Sequence, residues 1–178
     1  MNVLIVVDVQ NDFVSMALGT EEARKIINPL KEYLAALDKN TYVVATRDCH
    51  DETYMDSNEG RHLPVLHCQF GTKGFELVDE IKDFPFNRVI NKPNFGISSG
   101  TWKTILKDIE IENITLVGLC TDICVISNAL ALKTAFPEVN VRVIESLCAG
   151  VTKESHRAAI LTMKMAQVDI IWKNISLD

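Results

Sequence analysis

The chain has 178 residues, a net charge of −6, and 47% hydrophobic against 24% charged residues. This balance fits a single soluble domain spanning 1–178 with one large core, and it excludes a disordered or collagen-like chain. The positive residues are scattered, so no nucleic-acid surface is expected, and no 18-residue apolar span is present to cross a membrane.

Taken in order, Val3–Val7 is an unbroken apolar run that predicts a strand buried on both faces of a parallel sheet. It ends in Asp8. A carboxylate at the carboxyl end of a central strand stands where open α/β sheets place their ligand crevice, although an aspartate there also serves as a plain turn cap. Asn11 and Asp12 mark a loop, and Phe13 follows. Glu21–Leu37 predicts an amphipathic helix with Ala23, Ile26, Ile27, Leu30, Leu34 and Leu37 on one face and a kink or break at Pro29. Tyr42–Thr46 is the second predicted strand. Residues Arg47–Gly74 then form a long loop containing three of the four histidines, and a loop of that length inside a compact domain is usually functional.

Leu77–Ile81 suggests a short helix, and Arg88–Asn91 a strand ending in Lys92. Ser98 or Ser99 can cap a helix through Leu106. Ile114–Val117 reads as a strand broken at Gly118, with helical spacing from Thr121 to Phe136 until Pro137 closes it. Val139–Ile144 is a further strand, Thr152 caps a helix to Met165, and Val168–Trp172 is the last strand. Strands alternating with helices predict a parallel sheet with right-handed crossovers, an open α/β sandwich.

Five cysteines show no regular framework, and the opening MNVLIVVDVQ has too short an apolar run for a secretory signal. The expected compartment is the reducing cytoplasm, with free thiols. Cys124 falls in the first helical turn after a strand, where free backbone N–H groups favour a thiolate. It is a candidate nucleophile; the plain alternative is an inert core cysteine. Asp8, Lys92 and Cys124 each lie just beyond a predicted strand, so a parallel sheet brings all three to one edge. An ammonium beside a thiol favours its ionisation, and a carboxylate can take the thiol proton and return it to a leaving group. Taken alone, Lys92 reads as an exposed loop lysine. In the long loop, Asp48, His50 and His67 offer one oxygen and two nitrogen ligands, with Glu59 between the histidines. Solvated histidines are the plain alternative. Mixed N/O ligation suits Zn²⁺, with Mn²⁺ or Fe²⁺ as further choices.

Four stretches, IVVDVQNDF at Ile5–Phe13, NKPNFG at Asn91–Gly96, GLCTDICV at Gly118–Val125 and CAGVTKESHRAAI at Cys148–Ile160, carry a resemblance over nearly the whole chain. The sequence resembles the isochorismatase-like cysteine hydrolases, and among them the nicotinamidase-like branch. The resemblance implies a three-layer sandwich around a six-stranded parallel sheet, Rossmann-like in plan, with a catalytic triad at Asp8, Lys92 and Cys124. It implies a cis peptide between Leu119 and Cys120 that aims the backbone N–H groups of Cys120 and Cys124 at an oxyanion. It also implies a divalent metal on Asp48, His50 and His67, with Glu59 as an optional fourth ligand, that takes the pyridine nitrogen of the substrate.

The sequence departs from the nicotinamidase pattern just before the metal histidine. Where those relatives place a ring to stack on the pyridine, this chain has Leu63, Pro64, Val65 and Leu66. Phe13 and Tyr54 are then the expected walls of the substrate pocket, and His62 and His156 have no assigned role. The expected activity is hydrolysis of a small carboxamide, nicotinamide first, through a thioester on Cys124, in a homo-oligomer such as a dimer or tetramer. Hydrolysis of an N-carbamoyl or ureido compound is the nearest alternative. A metal-binding receiver-like signalling domain is the alternative of a different class, and it leaves Cys124 idle. A dinucleotide-binding role is disfavoured because no G-x-G-x-x-G follows a strand.

Overall fold

A computed structural model of the chain describes residues 1–172. Six strands form one parallel sheet: β1 (Asn2–Val7), β2 (Tyr42–Asp48), β3 (Arg88–Lys92), β4 (Asn113–Leu119), β5 (Asn140–Ala149) and β6 (Asp169–Ile171), in the order β3-β2-β1-β4-β5-β6. The helices are α1 (Asn11–Val14), α2 (Glu21–Ala35), α3 (Asn58–His62), α4 (Ser99–Ile105), α5 (Ile126–Ala135) and α6 (Lys153–Met165). The expected six-stranded α/β sandwich is the fold observed.

The period-two geometry of a strand explains the three layers. Along β1, Leu4 and Val6 face a core shared with Ile26, Ile27 and Leu30 of α2. Val3, Ile5 and Val7 face the opposite core, shared with Trp102 of α4, Leu132 of α5 and Met163 of α6. Both faces of β1 are thus covered, which is why its sequence is continuously apolar rather than alternating. Chain order reverses beside β1: β2 and β3 are laid down on one side and β4, β5 and β6 on the other. The resulting crevice at the carboxyl ends of the strands is the usual ligand position in such sheets. At the opposite edge, Asn2, Asn113 and Asn140 stand in register across β1, β4 and β5. Asn113 donates to Asn2 at 2.9 Å and accepts from Asn140 at 3.5 Å.

Four details differ from the sequence-based expectations. The predicted helix at Leu77–Ile81 is a series of turns, because its backbone is bonded to distant chain: Leu77 bridges Gln10, and the Val78 N–H donates to Val9 O. Helix α2 passes through Pro29 and ends at Ala35, held by its apolar face against the sheet. Gly118 does not end β4 but lies within it, at φ 117° where the β4–β5 register shifts. A side chain there would collide with the backbone of Val7, so the close approach of β1 and β4 requires glycine. Finally, the turn after β4 is a π-helix over Thr121–Val125, followed by α5. No helix among the described residues is long and apolar enough to cross a membrane.

Candidate active site

Each of the three strand-end residues is buried at the carboxyl edge of the sheet. Asp8 follows β1 at φ 48°, a left-handed conformation that turns the chain out of the strand. Its Oδ1 accepts a hydrogen bond from Thr46 Oγ1 at 2.6 Å. Its Oδ2 meets Lys92 Nζ at 2.6 Å in a fully buried ion pair. Lys92 Nζ also donates to Asn94 O at 3.0 Å and lies 3.7 Å from Cys124 Sγ. One ammonium therefore touches both the carboxylate and the thiol. Cys124 sits in the π-helical turn, and the Leu119–Cys120 peptide that opens this turn is cis, as the resemblance implied.

The long loop folds back so that Asp48, His50, Glu59 and His67 converge, with one ligand atom of each within 4.8 Å of the others. Asp48 Oδ2 stands 2.9 Å from His50 Nε2 and 3.4 Å from His67 Nε2, and His50 Nε2 is 3.7 Å from Glu59 Oε1. His67 Nδ1 lies 2.8 Å from Val65 O, which fixes the N–H there and turns the Nε2 lone pair toward the cluster. These donors fit a divalent metal: one or two carboxylates and two imidazoles with the correct ring nitrogens inward. The second oxygen of Asp48 reaches Lys92 Nζ at 3.5 Å, so the same carboxylate connects the cluster to the Asp8, Lys92 and Cys124 group.

A cavity of about 250 Å³ lies between the two groups, with Asp48, Glu59, His67, Cys120 and Cys124 on its wall. Its apolar lining includes Phe13, Leu18, Leu63, Phe95, Ile123 and Val151. It is smaller than the pockets that hold drug-sized ligands, about 300–1,000 Å³, and suits a single small ring. Phe13 lines it. Tyr54 does not: its ring packs at 4.5 and 5.0 Å from those of His50 and His67, and its hydroxyl donates to Leu63 O. Tyr54 faces the wider groove beside the cavity instead, together with His62. Phe95, which the sequence reading passed over, is the second aromatic wall.

Residues 2–172 match the isochorismatase domain family. The chain belongs to the isochorismatase family. Over 96% of its length it is 27% identical to the nicotinamidase/pyrazinamidase of Mycobacterium tuberculosis, covering 98% of that protein. The crystal structure of the pyrazinamidase of Pyrococcus horikoshii in complex with zinc superposes with a TM-score of 0.81 at 30% identity, over 97% of this chain and 99% of that one. The N-carbamoylsarcosine amidase of Thermoplasma acidophilum shares the fold, with a TM-score of 0.79 at 24% identity over 99% of both chains.

In this member of the isochorismatase family, burial dominates the protonation of Asp8 and Cys124. It raises the Asp8 carboxyl, an effect that Lys92 offsets in part and Asp48 reinforces. It also pushes the Cys124 thiol well above its ordinary value, with the Asp8 charge adding to the rise and Lys92 opposing it. The helix-terminus argument, which expects a lowered thiol pKa, is therefore outweighed by desolvation. Burial also works against the charge on Lys92, but Asp8, Cys124 and Asp48 together outweigh it and the ammonium is retained. Burial thus disfavours both the Asp8 carboxylate and the Cys124 thiolate, while the negative groups around Lys92 favour its ammonium.

Two buried polar residues that the sequence reading missed hold this arrangement. Gln10 accepts from Asp48 N at 2.7 Å and donates to Asp48 O at 2.9 Å and Phe75 O at 2.8 Å, clamping the end of β2. Asn128 of α5 accepts from Ile97 N and Trp102 Nε1, and donates to Cys124 O at 2.8 Å and Phe95 O at 3.3 Å. For Asn128 the available signal was a polar residue inside the largely apolar ISNALAL; Gln10, in the polar DVQNDF, carried no such signal.

Proposed function

We propose that the protein is a cysteine-dependent amidohydrolase that cleaves a small carboxamide to its acid and ammonia, with nicotinamide the first substrate. It is a hydrolase of non-peptide C–N bonds. The observation that carries the reading is the position of Lys92 Nζ, in contact with both Asp8 Oδ2 and Cys124 Sγ beside the four-ligand cluster. The five cysteines, all free, suit a cytoplasmic enzyme.

Asp8 takes the thiol proton as Cys124 Sγ bonds to the carbonyl carbon. The carbonyl oxygen, now negative, is met by the backbone N–H groups of Cys120 and Cys124, and Lys92 offsets the charge gathered in the site. Asp8 then protonates the amide nitrogen, the C–N bond breaks and ammonia leaves a thioester. Asp8 next removes a proton from water, which adds to the thioester; the acid departs as the proton returns to sulfur. Phe13 and Phe95 confine the ring and exclude bulk water. Asp48, His50, His67 and Glu59 would hold a divalent metal, Zn²⁺ first and Mn²⁺ or Fe²⁺ next, and a bound ion supplies a Lewis acid that fixes a heteroaromatic ring nitrogen.

The test is ammonia release from nicotinamide, pyrazinamide, benzamide and N-carbamoyl compounds. Nicotinamide should turn over well and benzamide, which lacks the ring nitrogen, poorly. Cys124→Ala should abolish turnover with the fold intact, while Cys120→Ala, which keeps its backbone N–H, should cost far less. Equal losses in the two variants contradict the assignment. Preference for the N-carbamoyl compounds moves the protein to the ureido branch of the fold.

A further inference from the structure

The turn that carries Cys120 and Cys124 has no side-chain cap of its own. Its Ile123 and Val125 N–H groups both donate to Cys120 O, and no side chain caps its start. Two side chains instead tie it to the segment that follows β5. Both carboxylate oxygens of Asp122 accept from Val151 N at 3.1 Å. The second link leads into α6: His156 Nδ1 lies 2.8 Å from Oγ1 of Thr121, a fully buried residue and the first of the turn. On the far side of the imidazole, Nε2 is 3.7 Å from Glu145 Oε1 of β5, within ion-pair range but beyond a hydrogen bond. A side chain on Gly150 would press on the Cβ of His156, so glycine there permits this close approach of α6.

We infer that His156 is a positioning residue for the hydrolytic reaction, holding the nucleophile turn in place through Thr121. The inference rests on the proposed role of Cys124. The carboxylate of Glu145 favours a proton on Nε2, which leaves the Nδ1 lone pair to accept from the Thr121 hydroxyl. That bond fixes the residue next to Cys120, whose backbone N–H must meet an oxygen that becomes negative only as the reaction proceeds. Such donors act only when already in place, and small displacements are costly in rate. Substrate binding, which depends on the cavity walls and the cluster, should be little affected.

The test measures steady-state turnover of nicotinamide together with the rate at which iodoacetamide alkylates Cys124. His156→Ala should lower kcat about tenfold, less than the roughly 100- to 1,000-fold cost of removing an oxyanion donor outright because the donor is displaced rather than lost, with KM within about twofold. Alkylation, which develops no oxyanion, should stay within about twofold. Thr121→Val should reproduce the loss, and the double variant should be no worse than either single one, because both remove the same bond. An asparagine places its amide near the Nδ1 position and a glutamine near Nε2, so His156→Asn should recover most of kcat and His156→Gln should not. That pair decides the question even if the alanine variant folds poorly. Unchanged kcat, additive losses, or equal behaviour of Asn and Gln overturns the positioning role and leaves the proposed function standing. A wild type inactive on every amide of the panel overturns both.

Discussion

At the scale of single residues, the buried trio determines how the enzyme should respond to pH. In the proposed mechanism Asp8 takes a proton from sulfur only when it is ionised, and burial places its pKa above that of an ordinary aspartate. Activity is therefore present above the folded pKa and lost as pH falls through it. The acid limb of kcat/KM should lie at a higher pH than the value of about 4 typical of exposed aspartates, and it belongs to the coupled trio rather than to Asp8 alone. A limb at or below that value would remove Asp8 as the base. A second residue-scale expectation concerns His50, which approaches both Asp48 and Glu59. Purified wild type should carry about one divalent ion per chain, and His50→Ala should lose it. Full occupancy of that variant by elemental analysis would place the ion elsewhere. Asp8, Lys92 and Cys124 were legible as candidates because each falls at or shortly after the end of a strand, Asp8 after β1, Lys92 closing β3 and Cys124 in the turn after β4. The protonation of Cys124 was not, since a helix terminus can be read from sequence while the depth of burial cannot.

The elements are fixed to one another by a few polar side chains, of which Asn128 joins the most. It links α5 to α4 through Trp102, to the loop after β3 through Ile97 and Phe95, and to the turn after β4 through Cys124 O. Asn128→Ala leaves several buried donors and acceptors without partners, each costing about 1–3 kcal/mol. Unfolding free energy from urea titration should fall by more than about 2 kcal/mol, with kcat also reduced; a loss under about 1 kcal/mol would show that the site relaxes around the gap. This layer was nearly invisible in the sequence, because Gln10 finds its partners 38 and 65 positions away. The misread helix at Leu77–Ile81 has the same origin: backbone groups engaged by Val9 and Gln10 are not available for helical bonds. Gly118 misled in another way. Glycine signals a break in an isolated strand, yet here it is what lets β4 continue past Val7.

For the whole molecule, the architecture followed from the alternation of apolar runs with amphipathic helices, most plainly in β1, whose two faces supply both cores. Everything assigned to chemistry lies at the carboxyl edge. The amino edge carries the Asn2, Asn113 and Asn140 row and the exposed turn before β2, where Thr41 N donates to Asp38 O. Asp48 is the last of the seven residues of β2 and lies about 20 Å from the first, beside that turn, at ~3.3 Å per residue. A flexible linker inserted between the exposed Lys39 and Asn40 should leave nicotinamide turnover within about twofold of wild type, and a larger loss would show that the two edges communicate. Coupled to a bead through that linker, the molecule would sit with its cavity facing the solution, an orientation suited to an immobilised deamidase or an ammonia-reporting sensor surface.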